Sequence, residues 1–118
     1  MSQEKLSLKG LNFQATKIEE NKNILTITLN RPEKKNALNN VMVNEICYAL
    51  AYAKQERSVR VIIIAAEGDI FCAGADLRRE ESESNVPKIE GADDISLMLR
   101  HLYTVSYTHL RAHETVRN

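Results

Sequence analysis

Excess charge of either sign, long apolar runs and a cysteine framework are all missing from this 118-residue chain. With 16 basic and 16 acidic side chains the formal charge is zero, so the electrostatic footprint of a nucleic-acid binder or of a protein held on an anionic membrane is absent. The β-branched stretch Val61–Ala66 is far too short to span a bilayer. Cys47 and Cys72 have neither metal-ligand spacing nor the numbers for a disulfide scaffold, and no metal is expected. Met1–Lys5 has no basic region followed by an apolar stretch, so no secretory signal is expected and the compartment reads as reducing and cytoplasmic, with an organelle matrix as the alternative. Only two prolines and four glycines punctuate the chain, and the last glycine is Gly91. What remains, 43% hydrophobic and 27% charged residues, fits a single globular domain at most.

Phe13–Glu19 reads as a strand, Asn21-Lys22-Asn23 as a turn, and Ile24–Leu29 as a half-buried strand with Leu25, Ile27 and Leu29 on one face. Arg31-Pro32 stops that hairpin, because proline removes a ladder donor. Asn39 or Asn40 caps a helix over about 40–57 whose core stripe is Val43, Ile46, Cys47, Leu50 and Ala53, with Glu45, Gln55 and Glu56 pointing away. Val59–Ala66 follows as a continuous apolar strand buried on both faces. Strand, helix and strand with short links make a right-handed βαβ unit, hence two parallel strands. The charge-dense segment from Leu77 to Glu90 reads as a mobile surface loop broken at Pro87. Asp93 or Asp94 then caps a final helix with Ile95, Met98, Leu99 and Leu102 on one stripe.

Small residues Ala73, Gly74 and Ala75 sit just past the carboxyl end of the second apolar strand, where ligands gather in such sheets. Their backbone N–H groups are unshielded, which is the logic of an oxyanion hole: fixed donors awaiting charge that develops during reaction. Glycine in an ordinary strand-to-helix turn would read the same way on its own.

Two blocks together are more specific. Ile27-Thr28-Leu29-Asn30-Arg31-Pro32-Glu33-Lys34-Lys35-Asn36-Ala37-Leu38 and Gly68-Asp69-Ile70-Phe71-Cys72-Ala73-Gly74-Ala75-Asp76-Leu77, one helix and one strand apart, resemble the enoyl-CoA hydratase/isomerase family, or crotonase superfamily. The resemblance covers 13–104 and implies an α/β fold, with residues 1–104 forming the N-terminal part of a crotonase-like ββα spiral. It implies that the backbone N–H of Ala75 is one of two donors that hold the thioester oxygen of an acyl-CoA and stabilise its enolate. Lys35, Asn36, Ala37, Ala73, Gly74, Asp76 and Leu77 would line the coenzyme A site, with Lys35 and Arg78 near phosphates. A helix start at Asp76–Arg79 would add its dipole. No permanent cofactor is implied, since coenzyme A arrives as part of the substrate, and the parent would be a homotrimer or hexamer. Hydration of a 2-enoyl-CoA is the implied reaction, with isomerisation and other enolate chemistry open.

The family's second glycine-rich block, with the other donor and the catalytic glutamates, has no counterpart in this sequence: no glycine follows Gly91 and Glu114 is the only glutamate beyond Glu90. The segment 105–118 departs from the family pattern and reads as a non-native tail, so the chain as written is expected to be inactive, a non-catalytic product or a small interaction module. His109, His113 and Glu114 within it resemble a helical zinc site but lack the glutamate directly after the first histidine. Cys72 has no identifiable histidine partner and reads as a small apolar filler, His101 as a surface residue, and Arg78–Glu81 as a solvated charged face.

Overall fold

The computed structural model describes residues 5–81, 83–91 and 95–105. Three strands, β1 (Thr16–Asn21), β2 (Ile24–Leu29) and β3 (Val61–Ala66), form one sheet in the order β1-β2-β3. β1 and β2 are an antiparallel hairpin whose two-residue turn, Lys22-Asn23, has positive φ at both positions, the twist that lets so short a connection join two strands. β2 and β3 are parallel, as the strand–helix–strand pattern requires, and Ile27 lies opposite Ile64. Between them runs helix α1 (Asn40–Gln55), and α2 (Ile95–Thr104) packs on α1.

The alternation in β2 is realised: Leu25, Ile27 and Leu29 are buried and face Met42, Ile46, Ala49 and Leu50 in the main core. A second, smaller cluster joins Val43 and Cys47 to Ile89, Ile95, Leu97 and Met98. Sheet on one side and α2 on the other explain why α1 is buried nearly all round rather than along one stripe. The Asn39 side chain caps the helix, accepting from the Met42 N–H at 2.9 Å. Leu99 is 54% exposed, and Leu97 takes the place assigned to it in the stripe of α2. The Asp93 or Asp94 cap lies outside the described residues. Among the described residues no helix is long and apolar enough to cross a membrane.

Three departures have physical causes. The first strand begins at Thr16, not Phe13, because the Gln14 and Ala15 N–H groups donate to the Glu45 carboxylate (2.7 and 2.9 Å) instead of to a neighbouring strand. Glu45 itself, expected to point outward, is fully buried and also accepts from the Thr16 hydroxyl at 2.8 Å. The third strand is not buried on both faces. Val61 and Ile63 are 47% and 45% exposed, because the described residues cover one face of β3 only, the face on which Ile62 and Ala66 pack against the core. The 77–90 segment carries no helix or strand among its described residues. Asparagines pin it: Asn85 accepts from the Asn12 N–H and donates to the Gly10 carbonyl, and Asn44 accepts from the Ile89 N–H.

Burial pushes the Glu45 carboxyl above its ordinary range despite the donors around it. The folded state therefore holds this proton more tightly than the unfolded state. Its contribution to stability is full below the ordinary carboxylate pKa and is lost as pH rises through the raised value. Glu45→Gln removes that titration and turns a donor toward the Gln14 N–H. An unsatisfied donor costs about 1–3 kcal/mol and relief of the desolvated charge offsets part of it, so a net loss of about 1 kcal/mol is expected near neutral pH. The gap between wild type and variant should shrink from pH 4 to pH 8 in denaturant melts; a gap that widens contradicts this account.

Candidate oxyanion loop

β2 ends at Leu29 and the chain turns at Pro32, the first residue of a single 3-10 turn (Pro32–Lys34). Proline suits that position because its missing N–H has no partner to lose there. Lys35 and Asn36 then both adopt left-handed backbone, φ +56° and +55°, which non-glycine residues hold only when surroundings enforce it. The enforcement is visible at Asn36. Its side chain is fully buried, accepts from the Arg31 N–H at 2.7 Å, and donates to the carbonyls of Glu67 (2.8 Å) and Ile70 (2.9 Å). One asparagine thus ties the first block to the loop that leaves β3.

The two blocks then pair directly. Ala73 N–H donates to the Lys35 carbonyl at 3.0 Å, Leu38 N–H to the Gly74 carbonyl at 2.8 Å, and Asp76 N–H to the Leu38 carbonyl at 2.8 Å. The result is a parallel bridge between Leu38 and Ala75. In such a bridge Leu38 bonds the residues on either side of its partner, so the partner's own N–H and C=O turn away from it. The Ala75 N–H accordingly has no acceptor among the described residues. Gly74 makes the approach with φ +119°, a backbone region that side chains rarely allow.

A shallow groove of about 450 Å³ lies beside this bridge, lined by Lys35, Ala37, Ala73, Ala75, Asp76 and Leu77 together with Glu33, Lys34 and Arg78. The residues named from the sequence thus converge on one surface, with two exceptions. Gly74 lies within the bridge rather than on the groove wall, and the buried side chain of Asn36 is occupied by its internal bonds. Leu77 is 90% exposed. Lys35 is exposed on the groove rim, while Arg78 is held by the Asp76 carboxylate at 3.1 Å.

No helix begins at Asp76–Arg79, so the expected dipole is absent. The Asp76 N–H is taken by the bridge and its carboxylate accepts from the Arg78 N–H at 3.1 Å, so the segment continues without regular structure. Hydrogen bonds from the Arg78 guanidinium and N–H, with the charges of Arg78 and Arg31, lower the Asp76 pKa to about 2. Arg78–Glu81 is not simply a solvated face: Glu80 accepts from the Asn39 side-chain amide at 2.7 Å, and its backbone exchanges hydrogen bonds with Asn40.

Arg31 is the residue that sequence reasoning missed as part of the site, having been read with Pro32 as a strand stop and as part of the first block, with no role of its own. Its side chain is 6% exposed; the guanidinium donates to the Ala37 carbonyl and lies 3.6 Å from both the Asp76 and the Glu80 carboxylates. The available signal was an arginine two residues beyond a buried strand, with a lone acid in a small-residue loop elsewhere in the chain. Cys72 is half-buried against the core, and Cys47 is fully buried with its thiol pushed up to about 11 by desolvation, both consistent with packing. His101 on α2 is half-buried, and burial with the nearby Lys54 lowers its pKa. Among the described residues no group of three or more His, Cys, Asp or Glu is placed to hold a metal ion. His109, His113, Glu114 and the rest of 106–118 lie outside the described residues.

Residues 19–110 match the family model described as enoyl-CoA hydratase/isomerase. The mouse enoyl-CoA hydratase domain-containing protein 2, mitochondrial, is 45% identical over 67 residues, covering 56% of this chain and 23% of that protein. The Escherichia coli 1,2-epoxyphenylacetyl-CoA isomerase is 30% identical over 82 residues, 70% of this chain and 30% of the relative. The crystal structure of an enoyl-CoA hydratase/isomerase from Pseudoalteromonas atlantica superposes with a TM-score of 0.58 at 30% identity, covering 80% of this chain and 34% of that one. The chain spans about a quarter of the length of the first relatives it matches, and its α/β architecture is the N-terminal part of the crotonase fold. It belongs to the enoyl-CoA hydratase/isomerase family.

Proposed function

We propose that the full-length protein hydrates a 2-enoyl-CoA, and that the Ala75 N–H supplies one of the two hydrogen bonds that stabilise the thioester enolate. The observation that carries this reading is the Leu38–Ala75 bridge, which uses the N–H on one side of Ala75 and the carbonyl on the other and leaves the Ala75 N–H open beside the groove. Backbone at Ala37, Ala73 and Leu77 would meet the adenine and pantetheine parts, Lys35 the phosphates, and Gly74 and Asn36 would shape the loop without touching the ligand. Coenzyme A would enter as part of the substrate, with no resident cofactor. Isomerisation is the second reading, favoured by the identity to a CoA-thioester isomerase.

The chain as written carries one donor and none of the acid/base groups, so it is a non-catalytic piece that binds acyl-CoA weakly. Residues 1–104 form the partial domain and 105–118 a non-native tail, although Val105 itself packs into the core; genomic sequence across codon 105 checks this. The parent would assemble as a trimer or hexamer in the cytoplasm or an organelle matrix. The functional test is hydration of crotonyl-CoA: turnover is expected from the full-length gene product and none from the 118-residue chain. Turnover by the short chain, or failure of the full-length protein to bind any acyl-CoA, overturns the reading.

A further inference from the structure

We propose that Arg31 is a positioning residue that holds both rails of the bridge on which Ala75 sits, an inference that rests on the reading of Ala75 as an oxyanion donor. On one rail, its guanidinium donates to the carbonyl of Ala37, the residue before Leu38. On the other, it lies 3.6 Å from the carboxylate of Asp76, the residue after Ala75. Its third partner, Glu80 at 3.6 Å, is fastened to the helix-capping Asn39. One buried cation therefore joins the end of β2, the start of α1 and both rails of the bridge.

The other ties are weaker or lie elsewhere: Asn36 fastens the first block to the Glu67 and Ile70 carbonyls, where the loop leaves β3, and not to the residues that flank Ala75. The Arg78–Asp76 pair sits on an arginine side chain that is 75% exposed, where water and salt screen it. The bridge itself is isolated, with no strand continuing it on either side. An isolated bridge opens easily unless side chains hold it, and an oxyanion donor stabilises developing charge only if it is already in place. Arg31 suits this task because its planar fork can serve a carbonyl and two carboxylates at once, which a lysine ammonium on a flexible stem does not reproduce.

The test is amide hydrogen exchange of the 118-residue chain, read by mass spectrometry with single-residue fragmentation at low concentration, with and without millimolar crotonyl-CoA. In wild type the Leu38 and Asp76 amides should be protected, and Ala75 should exchange freely until crotonyl-CoA slows it. In Arg31→Lys and Arg31→Met, exchange at Leu38 and Asp76 should accelerate by at least about tenfold while the β1–β2 amides stay within about twofold. Crotonyl-CoA should then no longer slow Ala75. Lys17→Met, which breaks an exposed ion pair to Glu67, should match wild type throughout.

Bridge protection and an Ala75 response that survive in Arg31→Lys overturn the proposal, and so does a bridge that opens while Ala75 still responds. Loss of strand protection in both arginine variants would mean that they unfold. Asp76→Asn and Glu80→Gln then decide: loosening confined to the bridge supports the clamp, and no change overturns it. A wild-type Ala75 that ignores crotonyl-CoA overturns the thioester reading instead, while the ligand-free exchange at Leu38 and Asp76 still judges the clamp by itself.

Discussion

Proline at position 75 of the full-length protein is expected to lower kcat on crotonyl-CoA by about 10²- to 10³-fold, the usual consequence of removing one oxyanion-hole donor, or about 2.7–4 kcal/mol of barrier. The substitution is informative because of what the bridge does not use. Leu38 bonds the Gly74 carbonyl and the Asp76 N–H, so losing the Ala75 N–H breaks no hydrogen bond of the fold among the described residues. Stability should therefore fall little while activity collapses. Ala75→Gly, which keeps the N–H, should stay within a few-fold of wild type and separates loss of the donor from loss of the methyl group. An Ala75→Pro enzyme that folds and retains activity within a few-fold of wild type would remove Ala75 from the mechanism.

Local chemistry was legible in the sequence wherever one residue decides it. The period-two pattern of Leu25, Ile27 and Leu29 located β2 to the residue, and the Asn39-Asn40 pair announced the start of α1, of which Asn39 is the cap. The small residues at 73–75 marked the loop because only an unshielded backbone can approach a ligand or another strand so closely. Glu45 was unreadable for the opposite reason. A glutamate on a helix is ordinarily solvated, and only the approach of Gln14, Ala15 and Thr16 from a distant segment converts it into a buried acceptor. The exposure of Val61 and Ile63 was equally invisible: their β-branched run describes a strand suited to burial, whereas the described residues supply a covering layer on one face only. Arg31 joins both cases, since its role depends on partners forty-five and more positions away, Asp76 and Glu80, that meet it only once β3 runs parallel to β2.

Asn36 should be the most sensitive position for the stability of the loop. Asn36→Ala leaves the Arg31 N–H and the Glu67 and Ile70 carbonyls without their partner, and an unsatisfied buried group costs about 1–3 kcal/mol even where water recovers the others. It also places alanine at φ +55°, a left-handed conformation that costs roughly 1–2 kcal/mol for a residue whose side chain cannot compensate. Together these give an expected loss of about 2–5 kcal/mol, a large share of the 5–15 kcal/mol by which a domain is ordinarily stable. Asn36→Gly relieves the backbone part alone, so it should recover about 1–2 kcal/mol of the loss and no more. Asn36→Asp keeps the acceptor for Arg31 but turns an anionic oxygen toward two carbonyls, and should be at least as damaging as alanine at neutral pH. Denaturant midpoints for the three variants measure this ordering. A glycine variant as stable as wild type would mean that the backbone conformation alone matters and that the three hydrogen bonds contribute nothing. The same ordering should appear in acyl-CoA binding by the full-length protein, because Asn36 holds together the two segments whose pairing leaves the Ala75 N–H open to the groove.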